Sequence, residues 1–242
     1  MLHIGELVQM NRYPIKSFAG ESLKRVEIAH YGLYGDRCYA FIDETKEDWD
    51  AYITARQIPQ MLAYKAELAG EGSNDRFPDV MVTTPEGHTR GWDEGLLNDI
   101  QAYSRINLSM TQCQPTTTEQ LAVDLGSILI ITDASLRELE KLWGKKLDPR
   151  RFRANLIIAI REGSGWKEND LIGKQLQIGN VILNIDSNCE RCAMITIDPD
   201  SLDRDASLLR VVNERLGLNY GVYASVVKTG EISVGEKVFV VV

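Results

Sequence analysis

Leu23-Lys24-Arg25-Val26-Glu27-Ile28-Ala29-His30-Tyr31-Gly32-Leu33-Tyr34-Gly35-Asp36-Arg37-Cys38-Tyr39-Ala40-Phe41-Ile42-Asp43 reads as two short strands around a glycine-rich turn. Apolar and charged residues alternate over 23–28, as they must when one face of a strand is buried and the other is wet. Gly32 and Gly35 punctuate the turn, and residues 38–43 resume a β pattern. Short strands separated by glycine turns point to a barrel or a sandwich. The same pattern runs outward, with strands expected at 4–10 before it and at 64–68, 80–83 and 107–113 after it. Residues 56–62, around Pro59, read as a loop or helical turn, 70–75 as a polar loop and 94–100 as a short helix. Further on, the apolar run at 127–132 leads into the clearest helix, with Thr132 or Asp133 as its N-cap. Leu136, Leu139 and Leu142 share its apolar face, and Gly144 ends it. Strands are expected at 155–160, 221–227 and 237–241, a helix at 202–216, and a hairpin over 176–185 turning at Gly179-Asn180. The chain is therefore predicted to be mainly β with some helices. A boundary near Gln114-Pro115-Thr116-Thr117-Thr118 divides it into 1–115 and 116–242.

Composition narrows the function. With a net charge of −8 over 242 residues, the chain lacks the basic face a nucleic-acid binder needs. No window approaches the roughly 20 apolar residues that span a bilayer, so no membrane partner is expected. Met1 to Arg12 lacks the apolar core of a signal peptide, which points to the cytoplasm. The four cysteines, Cys38, Cys113, Cys189 and Cys192, are then expected to be thiols. The chain has only three histidines, which weakens any reading based on a His triad or a multi-histidine metal site.

Two clusters carry chemistry. Cys189 and Cys192 form a C-x-x-C, which by itself has several readings. A structural zinc site needs about four ligands, and thioredoxin-type exchange wants the first cysteine at a helix N-terminus. Ala193-Met194-Ile195-Thr196-Ile197-Asp198 alternates and reads as a strand, which disfavours the second. Two buried thiols without a role, or a soft thiolate on a soft transition metal, remain open. Arg191 beside Cys192 favours the thiolate if its side chain turns inward. The other outlier is Arg150-Arg151-Phe152-Arg153, three arginines in an acidic chain. It is either a solvated turn or an anion site, since arginine grips phosphate in a bidentate fork. With Lys16, Arg37 and Arg191, and with the Ser17 and Thr132 hydroxyls, it could cradle a phosphorylated cofactor. The N-terminus of the helix after Thr132 would add N–H groups. Nucleotide-binding glycine motifs and the G-x-S-x-G elbow are absent.

These residues resemble a known family. Asn188-Cys189-Glu190-Arg191-Cys192-Ala193-Met194-Ile195-Thr196-Ile197-Asp198-Pro199 is similar to the signature of MOSC domains, the molybdenum cofactor sulfurase C-terminal family. Arg151-Phe152-Arg153-Ala154-Asn155 resembles the family's R-F-R-x-N element. Tyr13-Pro14-Ile15-Lys16-Ser17 and Gly32-Leu33-Tyr34-Gly35-Asp36-Arg37 resemble the N-terminal β-barrel domain that precedes MOSC in some members, among them the amidoxime-reducing branch. The resemblance implies an N-terminal β-barrel-like domain packed on a MOSC β-barrel. It implies a molybdenum–molybdopterin cofactor with Cys192 as metal ligand and catalytic residue. Lys16, Ser17, Arg37, Thr132, Asp133, Arg153, Asn155, Glu190, Arg191, Cys192 and Tyr223 would bind that cofactor. Ala154 stands where the family often has proline, and Glu190 where it often has a small neutral residue. The implied reaction is reduction of N-hydroxylated or S-oxide small molecules by oxo transfer. Some relatives carry a C-terminal ferredoxin domain, but this sequence closes on a strand without a cysteine-rich tail, so a separate electron-donor protein is expected. A cofactor carrier, or a sulfur carrier acting through a Cys192 persulfide, is the alternative.

Overall fold

The computed structural model describes residues 1–73, 75–116 and 125–241; Thr117 and Thr118 of the expected linker lie outside them. In chain order the first half contains β1 (Leu2–Arg12), β2 (Glu21–Leu23), β3 (Arg25–Ala29), β4 (Gly32–Leu33) and β5 (Tyr39–Ile42). It continues with β6 (Lys65–Ala69), β7 (Asp79–Thr83), β8 (Thr89–Arg90), α1 (Glu94–Gln101) and β9 (Ser109–Gln112). The second half contains β10 (Ile128–Thr132), α2 (Asp133–Trp143), β11 (Leu156–Ile160), β12 (Gln175–Ile178) and β13 (Val181–Glu190). It ends with α3 (Ala206–Leu216), β14 (Asn219–Lys228), β15 (Gly230–Ser233) and β16 (Lys237–Val241).

Seven strands close a barrel in the order β11-β10-β14-β13-β12-β16-β1, with β1 pairing back onto β11. The closing strand comes from the first few residues of the chain. Ile4, Leu7 and Met10 of β1 all enter the barrel core, a spacing of three that plain alternation forbids. Register shifts between His3 and Gly5 and between Leu7 and Gln9 insert the extra residues. Gly5 is required at the seam, because a Cβ there would lie 2.2 Å from the Ala159 carbonyl oxygen.

The apolar run at 127–132 is explained by its two covered faces. Ile128 and Ile130 of β10 point into the barrel, whereas Leu129 and Ile131 join a second core with Leu139 of α2 and Leu208 and Val212 of α3. A strand buried on both sides has no polar alternation to display. The smaller sheets β15-β3-β4, β5-β9 and β6-β7-β8 belong largely to the first half. A third core, built on Phe18, Phe41, Phe77 and Met61 with Leu96 and Ile100 of α1, holds much of that half together.

Two sequence expectations need correction. Residues 193–198 do not form a strand; Ala193–Thr196 is a single 3-10 turn, followed by one isolated bridge, Ile197 to Arg204. The apolar side chains there alternate only by coincidence, since Ile195, Thr196 and Ile197 are all buried together. The helix expected from 202 starts at Ala206, capped by Asp205, whose side chain accepts from the Ser207 N–H. The preceding residues are drawn into a turn on Asp198, which accepts from the Asp200 and Ser201 N–H groups at 3.0 Å each.

Candidate functional site

Cys192 lies where β13 has ended and the 193–196 turn begins, with extended backbone and an exposed thiol. Cys189, inside β13, is buried. The C-x-x-C thus presents one thiol outward and one inward. Two contacts fix the turn behind Cys192. The Thr196 hydroxyl donates to the Ala193 carbonyl at 2.7 Å. Arg151 then crosses from the 149–152 turn, its Nη1 reaching the Ile195 and Thr196 carbonyls at 3.3 and 3.1 Å. Its Nη2 pairs with Asp198 at 2.6 Å.

Arg191 turns inward, away from the thiol's solvent face. Its Nε donates to the Tyr220 carbonyl at 2.7 Å and its Nη1 to the Phe152 carbonyl at 3.1 Å. The guanidinium lies over the rings of Phe152 and Tyr220. Its Nη2 is buried without a hydrogen-bond partner, and no described ion pair includes this side chain. A buried cation outside the described ion pairs therefore precedes Cys192 in the chain, met by two carbonyl dipoles and two aromatic faces.

A second group gathers Tyr13, Arg37, Arg153 and Asn155, with Lys16 and Ser17 following Tyr13 closely in the chain. Arg153 and Arg37 both approach the Tyr13 ring, at 4.1 and 5.1 Å from its centroid. Arg37 donates through Nη2 to the Arg153 carbonyl at 3.2 Å and through Nη1 to Asn155 Oδ1 at 3.3 Å, and it also pairs with buried Asp36. Arg153 donates to the Phe18 carbonyl at 2.7 Å. Asn155 is a clip, accepting from the Leu129 N–H and donating to the Asn11 carbonyl. The Lys16 ammonium sits 4.1 Å from the Trp49 ring centroid and 5.5 Å from that of Tyr52. Burial pushes the Tyr13 phenol up, against the pull of Arg153 and Arg37. Ser17, Arg37 and Arg153 have φ of 69, 51 and 54°. A non-glycine residue in this region costs about 1 kcal/mol or more and persists where its surroundings hold it.

Thr132 and Asp133 stand at the N-terminus of α2. Thr132 Oγ1 caps the helix, accepting from the Ser135 N–H at 3.1 Å. Asp133 accepts from the Ile160 N–H at 2.9 Å and pairs with Arg137 at 2.6 Å. The buried carboxylate of Glu168 lies beside them, accepting from the Thr132 N–H at 2.5 Å, the Gly221 N–H at 3.1 Å and the Ser135 hydroxyl. Burial raises its pKa, and those donors oppose the shift. Gly221 connects this group to Arg191, since a Cβ there would lie 3.1 Å from Arg191 Nη2. Tyr223 is buried in β14 opposite Leu129 and Ser187, and Glu190 is exposed opposite Asn219.

The residues singled out in the sequence thus form three neighbouring groups. The arginine-rich turn connects them: Arg151 holds the Cys192 turn, the Phe152 carbonyl receives Arg191, and the Arg153 carbonyl receives Arg37. Arg150 takes no part, being exposed and paired with Asp148 and Asp200. Trp49 and Glu168 were not signalled by the sequence, because an isolated aromatic or acid has no pattern, and Tyr13 was marked only as part of the 13–17 element. A cleft of about 510 Å³ is lined by Tyr13, Arg153, Asn11, Glu21 and Asp200. Another of about 420 Å³ is lined by Thr132, Ser135, Glu168, Tyr220 and Arg215. Cys192 lines neither. Among the described residues no group of three or more His, Cys, Asp or Glu side chains is placed to hold a metal ion. A metal at Cys192 would therefore not be held by a cluster of described His, Cys, Asp or Glu side chains. This, together with the unpartnered Arg191 Nη2, suits a cofactor that carries both its own metal ligands and anionic groups.

Fold and site define a closed β-barrel protein with one exposed thiol beside buried and clustered cations. The sequence matches the MOSC domain family over residues 120–239 and the MOSC N-terminal beta barrel domain family over residues 4–119. Mitochondrial amidoxime reducing component 2 of Bos taurus is 32% identical over 290 residues, spanning 98% of this chain and 83% of that protein. The human counterpart is 26% identical over 291 residues, with the same coverage. A molybdenum cofactor sulfurase of Drosophila mojavensis is 31% identical over 256 residues, spanning 90% of this chain but 32% of that protein. In fold, the YUAD protein of Bacillus subtilis superposes with a TM-score of 0.52 at 14% identity, covering 98% of this chain and 95% of that one. The chain belongs to the MOSC family, with a MOSC N-terminal β-barrel domain followed by a MOSC domain. Among the described residues no helix is long and apolar enough to cross a membrane.

Proposed function

We propose that this chain is an oxidoreductase that binds a molybdenum–molybdopterin cofactor and reduces N-hydroxylated or S-oxide small molecules. The observation that carries the reading is the single exposed thiol of Cys192, next in sequence to a buried arginine with an unpartnered N–H. When bound, the cofactor supplies a two-electron metal able to take oxygen from an N–O or S–O bond. Cys192 offers it a soft sulfur ligand. Arg151 keeps the Cys192 turn in place. Lys16, Arg37 and Arg153 form the cationic side that would receive a phosphate, with the Ser17 hydroxyl as a further donor. Thr132 and Asp133 act through the N-terminus of α2, Asn155 through its bond to Arg37, and Glu190 and Tyr223 flank the pairing of β13 with β14. Electrons come from a separate donor protein. The names of the amidoxime reducing relatives point to the same substrate class.

The test is expression of wild type and Cys192→Ser in a molybdopterin-producing host. Molybdenum content and benzamidoxime reduction with an artificial electron donor are then measured. Wild type is expected to carry the metal and turn over, and the variant to lose both. Full occupancy and full activity in the variant would overturn the assignment. A persulfide on Cys192 in protein without pterin would replace it with sulfur transfer.

A further inference from the structure

Cys38 and Cys113 are 75 positions apart in sequence (113 − 38), yet they face each other across two strands. β5 and β9 run antiparallel with Tyr39 opposite Gln112 and Ala40 opposite Thr111. The next step of that register sets Cys38 opposite Cys113, and the Cys113 N–H donates to the Cys38 carbonyl at 2.8 Å. A direct bond of this kind marks a hydrogen-bonded pair, whose Cα atoms lie about 5.5 Å apart. That Cα spacing falls within the range that a disulfide spans, about 4.4–6.8 Å, and the Cβ atoms of such a pair, up to about 5.5 Å apart, close by roughly 1 Å when the bond forms. Directly opposed residues project to the same face, and both side chains belong to the same core. Both are thiols here.

From this juxtaposition we propose that Cys38 and Cys113 form a reversible disulfide, a redox modification site separate from Cys192. Their accessibility sets the order of events. Cys38 is 1% exposed, whereas Cys113 is half-buried and open to a small oxidant. Burial pushes the Cys38 thiol well up, with neighbouring Asp36 adding to it, so Cys113 reacts first. With a hydroperoxide as oxidant, the Cys113 thiolate attacks the terminal oxygen. An S–O bond forms, the O–O bond breaks and an alcohol leaves. Cys38 then attacks the Cys113 sulfur; the S–S bond forms, the S–O bond breaks and water leaves with the Cys38 proton. Two electrons pass from the two thiols to the peroxide. A low-molecular-weight thiol reverses the reaction by exchange.

The pair also adjoins the cationic group. Cys38 follows Arg37, and its Sγ–H is directed at the Gly35 carbonyl at 3.2 Å and, more weakly, at the Pro14 carbonyl at 3.8 Å. Closing the disulfide withdraws that donor from the two segments that carry Arg37 and Lys16.

The experiment is differential alkylation of the full-length chain before and after tert-butyl hydroperoxide, followed by peptide mapping. Wild type is expected to lose the alkylatable thiols of both Cys38 and Cys113 and to yield a linked peptide containing the two, with dithiothreitol restoring both. Cys113→Ser is expected to keep Cys38 fully alkylatable after unfolding. Cys189→Ser/Cys192→Ser is expected to leave the 38–113 link unchanged. The proposal fails if Cys38 and Cys113 stay alkylatable at every oxidant dose. It fails equally if the only linked peptide joins other cysteines, or if Cys113 is recovered only as a sulfinic or sulfonic acid.

Discussion

Arg151→Met removes the strap that fixes the turn behind Cys192, and its cost follows from three contacts. Nη1 is shared between the Ile195 and Thr196 carbonyls, and a bond from a charged donor contributes about 1.5–3 kcal/mol. Without it at least one buried carbonyl is left unmet, for about 1 kcal/mol more. The pair with Asp198 contributes little, about 0.5 kcal/mol, because that carboxylate is one-third exposed and screened. Methionine keeps much of the stem packing. The expected loss is about 3 kcal/mol, or roughly 6–12 °C in Tm at 2–4 °C per kcal/mol for a chain of this size. Arg150→Met is the control: its acidic partners are solvent-facing, and its loss should stay below about 1 kcal/mol. Thermal unfolding reads the global effect. Hydrogen exchange reads the local one, at the Ile195 and Ile197 amides that close the turn onto Cys192 and Met194. Those amides should lose more protection than the barrel strands do. Equal Tm shifts for the two arginine variants, or unchanged exchange at Ile195 and Ile197 in Arg151→Met, would refute the reasoning.

Two other substitutions probe the group around Gly221. Glu168 has a folded pKa raised above 4.5, so between 4.5 and that raised value the folded state binds more protons than the unfolded one. The contribution of Glu168 is therefore fully present below pH 4.5 and declines as pH rises through that window. Glu168→Gln should be less stable at every pH, since its amide N–H₂ faces another donor, but the decline should vanish. Urea midpoints measured across the acid range decide it, and an unchanged slope counts against the buried-carboxylate account. Gly221→Ala places a methyl 2.8 Å from Ile131 Cγ2 and 3.0 Å from the Ile130 carbonyl oxygen, at φ 82°. It should cost at least about 2 kcal/mol by calorimetry; a neutral result would mean that the close approach to β10 is not needed.

Where structure depends on a few adjacent residues, the sequence was legible. Gly179-Asn180 makes the expected tight hairpin, with Ile178 opposite Val181. Thr132 and Gly144 bound α2 as read, because caps are local chemistry. The turn at 193–196 was misread because its apolar residues mimic strand alternation, while the residue that bends it, Arg151, lies more than forty positions upstream. The β1 seam was hidden for a related reason: its bulges set a spacing of three. The candidate residues were named through family resemblance. Their contacts were invisible, since Arg37 meets Asn155 across 118 positions and the Arg153 carbonyl across 116.

The placement of the 149–155 segment explains why these distant elements can act as one site. It makes a 3-10 turn from Pro149 to Phe152 and then passes through left-handed Arg153 before entering β11. That reversal lets consecutive residues face different neighbours. Arg151 reaches the Cys192 turn, the Phe152 ring packs tilted against Tyr220 with centroids 4.4 Å apart, and Arg153 reaches Phe18 in the first half. Its carbonyls take guanidinium donors from both sides, Arg191 at Phe152 and Arg37 at Arg153. A left-handed non-glycine residue is unfavourable alone, but here it is fixed by a buried side chain, a charged donor on its own carbonyl and the Asn155 clip beyond. The thiol turn and the cationic group are therefore anchored on the same few residues. A substitution at Phe152 or Arg153 should disturb both, whereas one at Lys16 or Arg150, at the edges of the network, should disturb one or neither.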